Sequence, residues 1–242
     1  TFGECRNLYG EIRLPEGLEE IGPGAFQGCE NLTGSIVIPQ GVSTIPYDTF
    51  NGTWVGGTLT LHDGIISIGT GAFANTGLKG ELRLPKDLEV ISHSAFYNCD
   101  FSGNLVLPEN LHTIGNQAFA YNWRLMGTLE IPENVISIGA GAFAKCSSIE
   151  GVIFPEGLES IRYNAGWNED GGAFQDCFGI GRIVCKGTIP AYVQEGAFHG
   201  VAKDNFTLEV PESAIQQYQA ATGWKDFKRI SAYRNLVIRP SM

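Results

Sequence analysis

Gly10-Glu11-Ile12-Arg13-Leu14-Pro15-Glu16-Gly17-Leu18-Glu19-Glu20-Ile21-Gly22-Pro23-Gly24-Ala25-Phe26-Gln27-Gly28-Cys29-Glu30-Asn31-Leu32 decides the fold, because near copies of this stretch fill most of the chain. Ile12 and Leu14 alternate with polar neighbours, as in a strand with one buried face, and Pro15 closes that strand because proline cannot donate to a ladder. Leu18 and Ile21 mark a second short extended side. Ala25, Cys29 and Leu32 fall at i, i+4 and i+7, the spacing of one helical face, which predicts a short helical turn as the third side. Phe26 is then the plug of the coil. It is one of nine phenylalanines, Phe2, Phe26, Phe50, Phe73, Phe96, Phe119, Phe143, Phe174 and Phe198, spaced 23 or 24 residues apart except for one gap of 31. A unit this short cannot enclose a core alone, whereas stacked copies bury a continuous apolar column. The expected fold class is a repeat solenoid with short parallel strands, short helical turns and a C-terminal cap that contains a helix.

Working outward, the strand pair recurs as Ile36 and Ile38, Leu59 and Leu61, Leu82 and Leu84, Leu105 and Leu107, Leu129 and Ile131, Val152 and Phe154, with degenerate rungs at Ile183 with Cys185 and Leu208 with Val210. The register predicts one domain over residues 1–242, with repeats over about 1–211 and a cap over about 212–242. In the cap, Ser213 with Gln216 three residues on reads as a capping box, and Gly223 as the helix stop. Trp224 and Phe227 would cover the last open coil, whose strand edges otherwise invite aggregation. The chain starts within a repeat, which points to a longer precursor and to a targeting segment lying outside this sequence. No run of apolar residues is long enough for a membrane span.

Charge narrows the function. The formal net charge is -10, from 26 acidic and 16 basic residues, which repels phosphate backbones and argues against nucleic acid as a partner. Cys5, Cys29, Cys99, Cys146 and Cys177 all sit three residues after a repeat phenylalanine, a slot that elsewhere holds Thr53, Thr76, Asn122 and Val201. That register predicts small buried side chains and free thiols, with no metal site: no C-x-x-C occurs, and His62, His93, His112 and His199 occupy four different repeat positions. Gly-Pro-Gly and Gly-Ala-Gly fragments before the plugs are tight corners, without the strand and long helix of a dinucleotide site. No cofactor is expected. Catalysis is not expected either, since neighbouring coils bring only Glu89 beside His112, on an open face with Ile136 as the next residue of the column and no nucleophile.

The consensus carried by Leu82-Arg83-Leu84-Pro85 and by Ile138-Gly139-Ala140-Gly141-Ala142-Phe143-Ala144-Lys145-Cys146-Ser147-Ser148-Ile149 resembles that of the BspA-like leucine-rich-repeat family. The resemblance covers essentially the whole chain, including the closing Val210-Pro211 through Tyr218 to Gly223, Trp224 and Phe227. It implies a leucine-rich-repeat solenoid from a bacterial cell-surface or secreted protein, often of gut or oral anaerobes, with repeats that bind host proteins or other cells. Ligands vary within the family, so no binding residue carries over. The expected function is therefore a non-catalytic recognition or adhesion module at the cell surface, binding a protein or glycan on host or neighbouring cells, with no small-molecule substrate. The alternative is a passive spacer for another surface domain.

Departures from the repeat supply candidate contacts. Residues 162–172 carry eight more residues than the matching segment of the first full copy, and include Tyr163, Asn164, Trp167, Asn168, Glu169 and Asp170. An aromatic and amide-rich loop on a rigid scaffold is a contact candidate, and equally a tolerated surface insertion. A second candidate is the outward strand row Arg13, Val37, Thr60, Arg83, Val106, Glu130, Ile153, Val184 and Glu209, whose four aliphatics form a binding stripe or simply favour strands. Trp54, Tyr97, Tyr121 and Trp123, just after the repeat phenylalanines, either join such a surface or shield coil ends. From these sets Tyr163, Asn164, Trp167, Arg83, Val106, Tyr121 and Trp123 are the expected partner contacts.

Overall fold

The computed structural model describes residues 2–164, 166 and 171–233, and in them each repeat is one coil of a parallel solenoid of about nine turns. The first wall is built from the strand segments before each proline corner. Its largest part is a seven-stranded sheet running from Lys79–Arg83 through Asp100–Val106, Arg124–Glu130, Ile149–Phe154, Arg182–Cys185 and Leu208–Val210 to Ile230–Ala232. Nearer the N-terminus the same wall is made of two short pairs, Gly10–Glu11 with Leu32–Thr33 and Ile36–Val37 with Leu59–Thr60. The second wall is an uninterrupted seven-stranded ladder of two-residue strands, from Thr44–Ile45 to Tyr192–Val193. Parallel pairing follows from the topology, because every coil crosses each wall in the same direction.

The core is the phenylalanine column. Rings of successive coils stack 5.3–5.7 Å apart from Phe2 to Phe198. Phe50, Phe73, Phe96, Phe119, Phe143 and Phe174 are fully buried. The 31-residue gap leaves the column intact: Phe143 and Phe174 are 5.3 Å apart. The extra residues leave and rejoin the coil at one point, where Tyr163 bridges Gly172 in antiparallel fashion and the Asn164 amide donates to the Gly171 carbonyl at 3.0 Å.

The third side differs from the expected helical turn. Within a coil its amides close single turns, as with Gln27 N–H to Gly24 O and Cys29 N–H to Phe26 O. The alternate amides of Gly24, Phe26 and Gly28 donate instead to Tyr47, Thr49 and Asn51 of the next coil, at 2.8–2.9 Å. Around most plugs the residues two before and two after have left-handed φ, for example Asp48 (+51°) and Gly52 (+72°), or Ser94 (+52°) and Asn98 (+53°). A left-handed residue every fourth position interrupts a right-handed helix, and a helix would also consume the amides that here join coil to coil.

The cap closes the C-terminal end. Its helix, Ile215–Ala220, follows a 3₁₀ turn at Glu212–Ala214 and starts at Ala214 without a side-chain cap, so the capping box read at Ser213 does not form. Gly223 lies beyond the helix at φ +81°, where a Cβ would meet Val193 Cγ1 at 2.6 Å, so glycine is required for the close approach. Trp224 Nε1 donates to the Ala191 carbonyl at 2.8 Å and Tyr218 Oη to the Gly187 carbonyl at 3.1 Å. These bonds fix two large side chains over the last coil while satisfying their polar atoms. The cap then adds Ile230–Ala232 to the first wall, a strand that the sequence reading had not separated from the cap.

Candidate functional site

The slot three residues after each plug is chemically more selective than its size suggested. Cys29, Cys99, Cys146 and Cys177 point their thiols at the plug carbonyl of the preceding coil, Phe2, Phe73, Phe119 and Phe143 respectively, at 3.0–3.1 Å. Asn122 Nδ2 does the same to Phe96 O at 2.7 Å, while Thr53 and Thr76 bond the plug carbonyl of their own coil. Where a donor fills the slot it meets a buried acceptor, while Val201 fills the same slot with an apolar side chain. All six cysteines are unpaired; burial pushes the Cys99 and Cys146 thiols up to about 12 and Cys177 well above its ordinary value. Such thiols are protonated at neutral pH and are not nucleophiles. Cys5 is exposed.

The sequence-predicted contacts fall on separate sides of the rod. Arg83 and Val106 are ladder partners on the first wall, and both face outward; Val106 is 73% exposed and the Arg83 guanidinium is held by Glu81 at 3.0 Å. Tyr121 and Trp123 lie on the turn side. Lys145 Nζ sits 3.2 Å from the Tyr121 hydroxyl, and the Arg124 guanidinium covers the Trp123 ring at 4.4 Å while also pairing with Asp100. Tyr163 and Asn164 lie at the base of the insertion, where the Tyr163 amide donates to Gln194 Oε1 at 2.7 Å. Trp167, with Asn168, Glu169 and Asp170, lies outside the described residues.

The outward strand row needs correction. Val184 is buried and Ile153 half-buried, leaving Val37 and Val106 as its exposed aliphatics. Three long-range ion pairs span that end of the row. Arg182 makes a two-pronged contact with Glu209, and Lys186 reaches back over the intervening coil to Glu130 and Glu133, at 3.0 Å from each. Burial works against the Lys186 charge, but the hydrogen bonds it donates to Glu133 and Glu130, with the charges of those carboxylates, outweigh it and raise its pKa.

Beside Val106 the first wall has a seam. Asp100–Val106 and Arg124–Glu130 pair only through Met126–Asn104. After Gly127, at φ +75°, the later strand pairs Thr128, Leu129 and Glu130 forward with Gly151, Val152 and Ile153. Val106 pairs back to Arg83 and Glu130 forward to Ile153, and no register joins the two. A groove of ≈ 620 Å³ follows the seam, lined among others by Val106, Thr128, Glu130, Ile131, Glu133 and Lys186. On the second wall, Glu89 and His112 stand 3.8 Å apart as expected, each about half exposed, which makes an ordinary solvated pair.

A profile described as "BspA type Leucine rich repeat region" matches in six copies over residues 1–125 and 66–205. The chain belongs to that family. Among solved structures, this BspA-type chain is similar to a leucine-rich repeat protein from Bacteroides ovatus ATCC 8483, at 21% identity and a TM-score of 0.48. That similarity covers 95% of this chain and 52% of the other, so the chain spans about half the length of that relative. It is also similar to a leucine-rich cell surface protein from Faecalibacterium prausnitzii A2-165, at 16% identity, TM-score 0.45, covering 98% and 76% of the two chains. The pneumococcal vaccine antigen PcpA matches at 16% identity and TM-score 0.44, covering 93% and 68%. No curated protein shows significant similarity.

What individualises this BspA-type array is its departures from the shared repeat. Three large aromatics, Trp54, Trp123 and Phe178, stand four residues after their plugs and are 60%, 51% and 64% exposed. The offset of Phe178 from Phe174 is the same sequence signal that marks Trp54 and Trp123. In the sequence Glu130 is one place in the outward strand row. Its role as a groove wall depends on Lys186 and on the change of pairing at Gly127, two facts that no single copy contains.

Proposed function

We propose that this chain is a non-catalytic recognition module that binds a protein or glycan on host or neighbouring cells, displayed outside the bacterium that makes it. The observation that carries this reading is that large apolar side chains stand exposed at fixed ladder and turn positions: Val106, Trp123, Trp54 and Phe178. Rigid, exposed aromatic and aliphatic groups are the usual anchors of a protein interface, since little side-chain freedom is lost when they are covered. A non-catalytic reading is supported by the shielded, protonated thiols at Cys99 and Cys146 and by the open setting of Glu89 and His112. Arg83, Tyr121, Tyr163, Asn164 and Trp167 stay with Val106 and Trp123 as the proposed contacts.

The test is a binding array of the intact chain against extracellular-matrix proteins and glycans, run beside Val106→Asp, Trp123→Ala and a variant lacking residues 164–171. The expected result is at least one partner whose affinity drops about tenfold or more in one variant, with unchanged far-UV circular dichroism. Binding of nothing above background, or binding that all variants share equally, would count against the reading and favour the spacer.

A further inference from the structure

The groove along the first-wall seam carries more than its volume. Its floor is apolar, with Val106 exposed and Ile131 and Leu107 beneath. Its lip is acidic: Glu109, Glu130 and Glu133 contribute three carboxylates, and Lys186 is the one cation among the lining residues. Glu133 is partly engaged, since its Oε2 accepts the Glu156 amide at 3.2 Å while its Oε1 holds Lys186. Lys186 belongs to a coil two further along, so the chain itself lays a primary ammonium across the lip from outside. The same pair of carboxylates would receive a lysine or arginine from another molecule in the same way.

Geometry adds a second constraint. The ladder between the two flanking strands stops at Met126–Asn104, which leaves main-chain as well as side-chain groups along the groove. An extended peptide repeats its side chains on one face about every 7 Å, so one with alternating apolar and basic residues would set apolar groups against Val106 and cations against Glu130 and Glu133.

We propose that this groove is a docking site for an extended basic peptide segment of a partner protein, with Lys186 as an internal competitor for the acidic lip. The proposal rests on the recognition reading above and names its site and partner class. Charge favours this occupant: the chain carries a net charge of -10, and the lining residues Glu109, Glu130, Glu133 and Lys186 leave an excess of negative charge in the groove. A polyanion would be repelled.

The experiment measures fluorescence anisotropy of a labelled peptide of about eight residues alternating lysine and valine, the repeat that matches the ~7 Å spacing. Glutamate–valine and serine–valine peptides of equal length serve as controls, and heparin as a polyanion. The intact chain is compared with Glu130→Gln/Glu133→Gln and with Lys186→Ala. The basic peptide should bind, weaken about tenfold in the double variant, tighten several-fold in Lys186→Ala, and lose affinity with added salt. Because one variant is expected to lose affinity and the other to gain it, general damage to the fold cannot mimic the pattern. Equal binding by all three proteins, or preference for the acidic peptide or heparin, overturns the groove proposal. If the array finds a partner that ignores both groove variants, the groove falls while the recognition reading stands; if it finds none, that reading fails whatever the peptide does.

Discussion

Replacing Phe119 by alanine tests the stacked column most directly. Its ring is fully buried, and it lies 5.4 Å from the rings of Phe96 and Phe143 on either side. Truncating a buried phenylalanine costs about 3–5 kcal/mol. Each aromatic pair adds about 0.5–1.5 kcal/mol beyond burial, which places Phe119→Ala near the top of that range. Phe2→Ala is the internal control: Phe2 is 52% exposed and, among the described residues, stacks on Phe26 alone, at 5.7 Å, so its loss should cost about 1 kcal/mol or less. Urea unfolding followed by circular dichroism reads the difference, and hydrogen exchange resolved by peptide mass locates it. Since the plugs pack mainly against those of neighbouring coils, lost protection should concentrate in the coils of Phe96, Phe119 and Phe143. Equal midpoint shifts for the two variants, or a uniform loss of protection along the chain, would refute the column as the source of stability.

The thiols give a pH prediction. A thiol whose folded pKa lies above its ordinary 9.0 keeps its proton in the folded chain and loses it in the unfolded one, so its stabilisation is full below pH 9.0 and falls as pH rises. Cys99 and Cys146, each pushed up to about 12, should each withdraw about 1.4 kcal/mol per pH unit above 9 until pH passes the folded value. Base titration of Cys99→Thr/Cys146→Thr, using the residue that fills this slot at Thr53 and Thr76, should give a visibly flatter loss; an unchanged slope would show the thiols are not the cause. In native alkylation at neutral pH, Cys5 should label well ahead of the buried five, which mass spectrometry of tryptic peptides would check. Asn122→Thr should be neutral or stabilising by up to about 1 kcal/mol, because Asn122 Oδ1 is buried without a partner and threonine retains a donor. Destabilisation by 2 kcal/mol or more in thermal melts would mean the bond to Phe96 outweighs the stranded oxygen.

The column, both walls and the presence of a cap were legible because each is written many times over: the plug repeats, the strand pair alternates and proline closes each strand. The third side was misread because i, i+4 and i+7 also suits a run of turns, and what separates the two, left-handed residues at such positions as Asp48, Ser94 and Lys145, leaves little trace in residue type. Val184 read as exposed for a different reason. Periodicity reports which face a side chain takes, but not how much of that face the rest of the chain covers, and Val184 is covered. The seam at Gly127 was invisible for a similar reason, since Gly80 and Gly103 stand at like places with like backbone angles while the pairing around them differs.

That seam has a mechanical consequence. The second wall runs unbroken from Thr44–Ile45 to Tyr192–Val193, while opposite it one strand boundary has lost half its ladder. The intact side thus acts as a spine, and opposite it the first wall is free to open at the gap between Val106 and Glu130 as well as at the breaks between its short N-terminal pairs. Curvature and groove width are thus one mechanical coordinate, and tension along the rod would be felt at its lip.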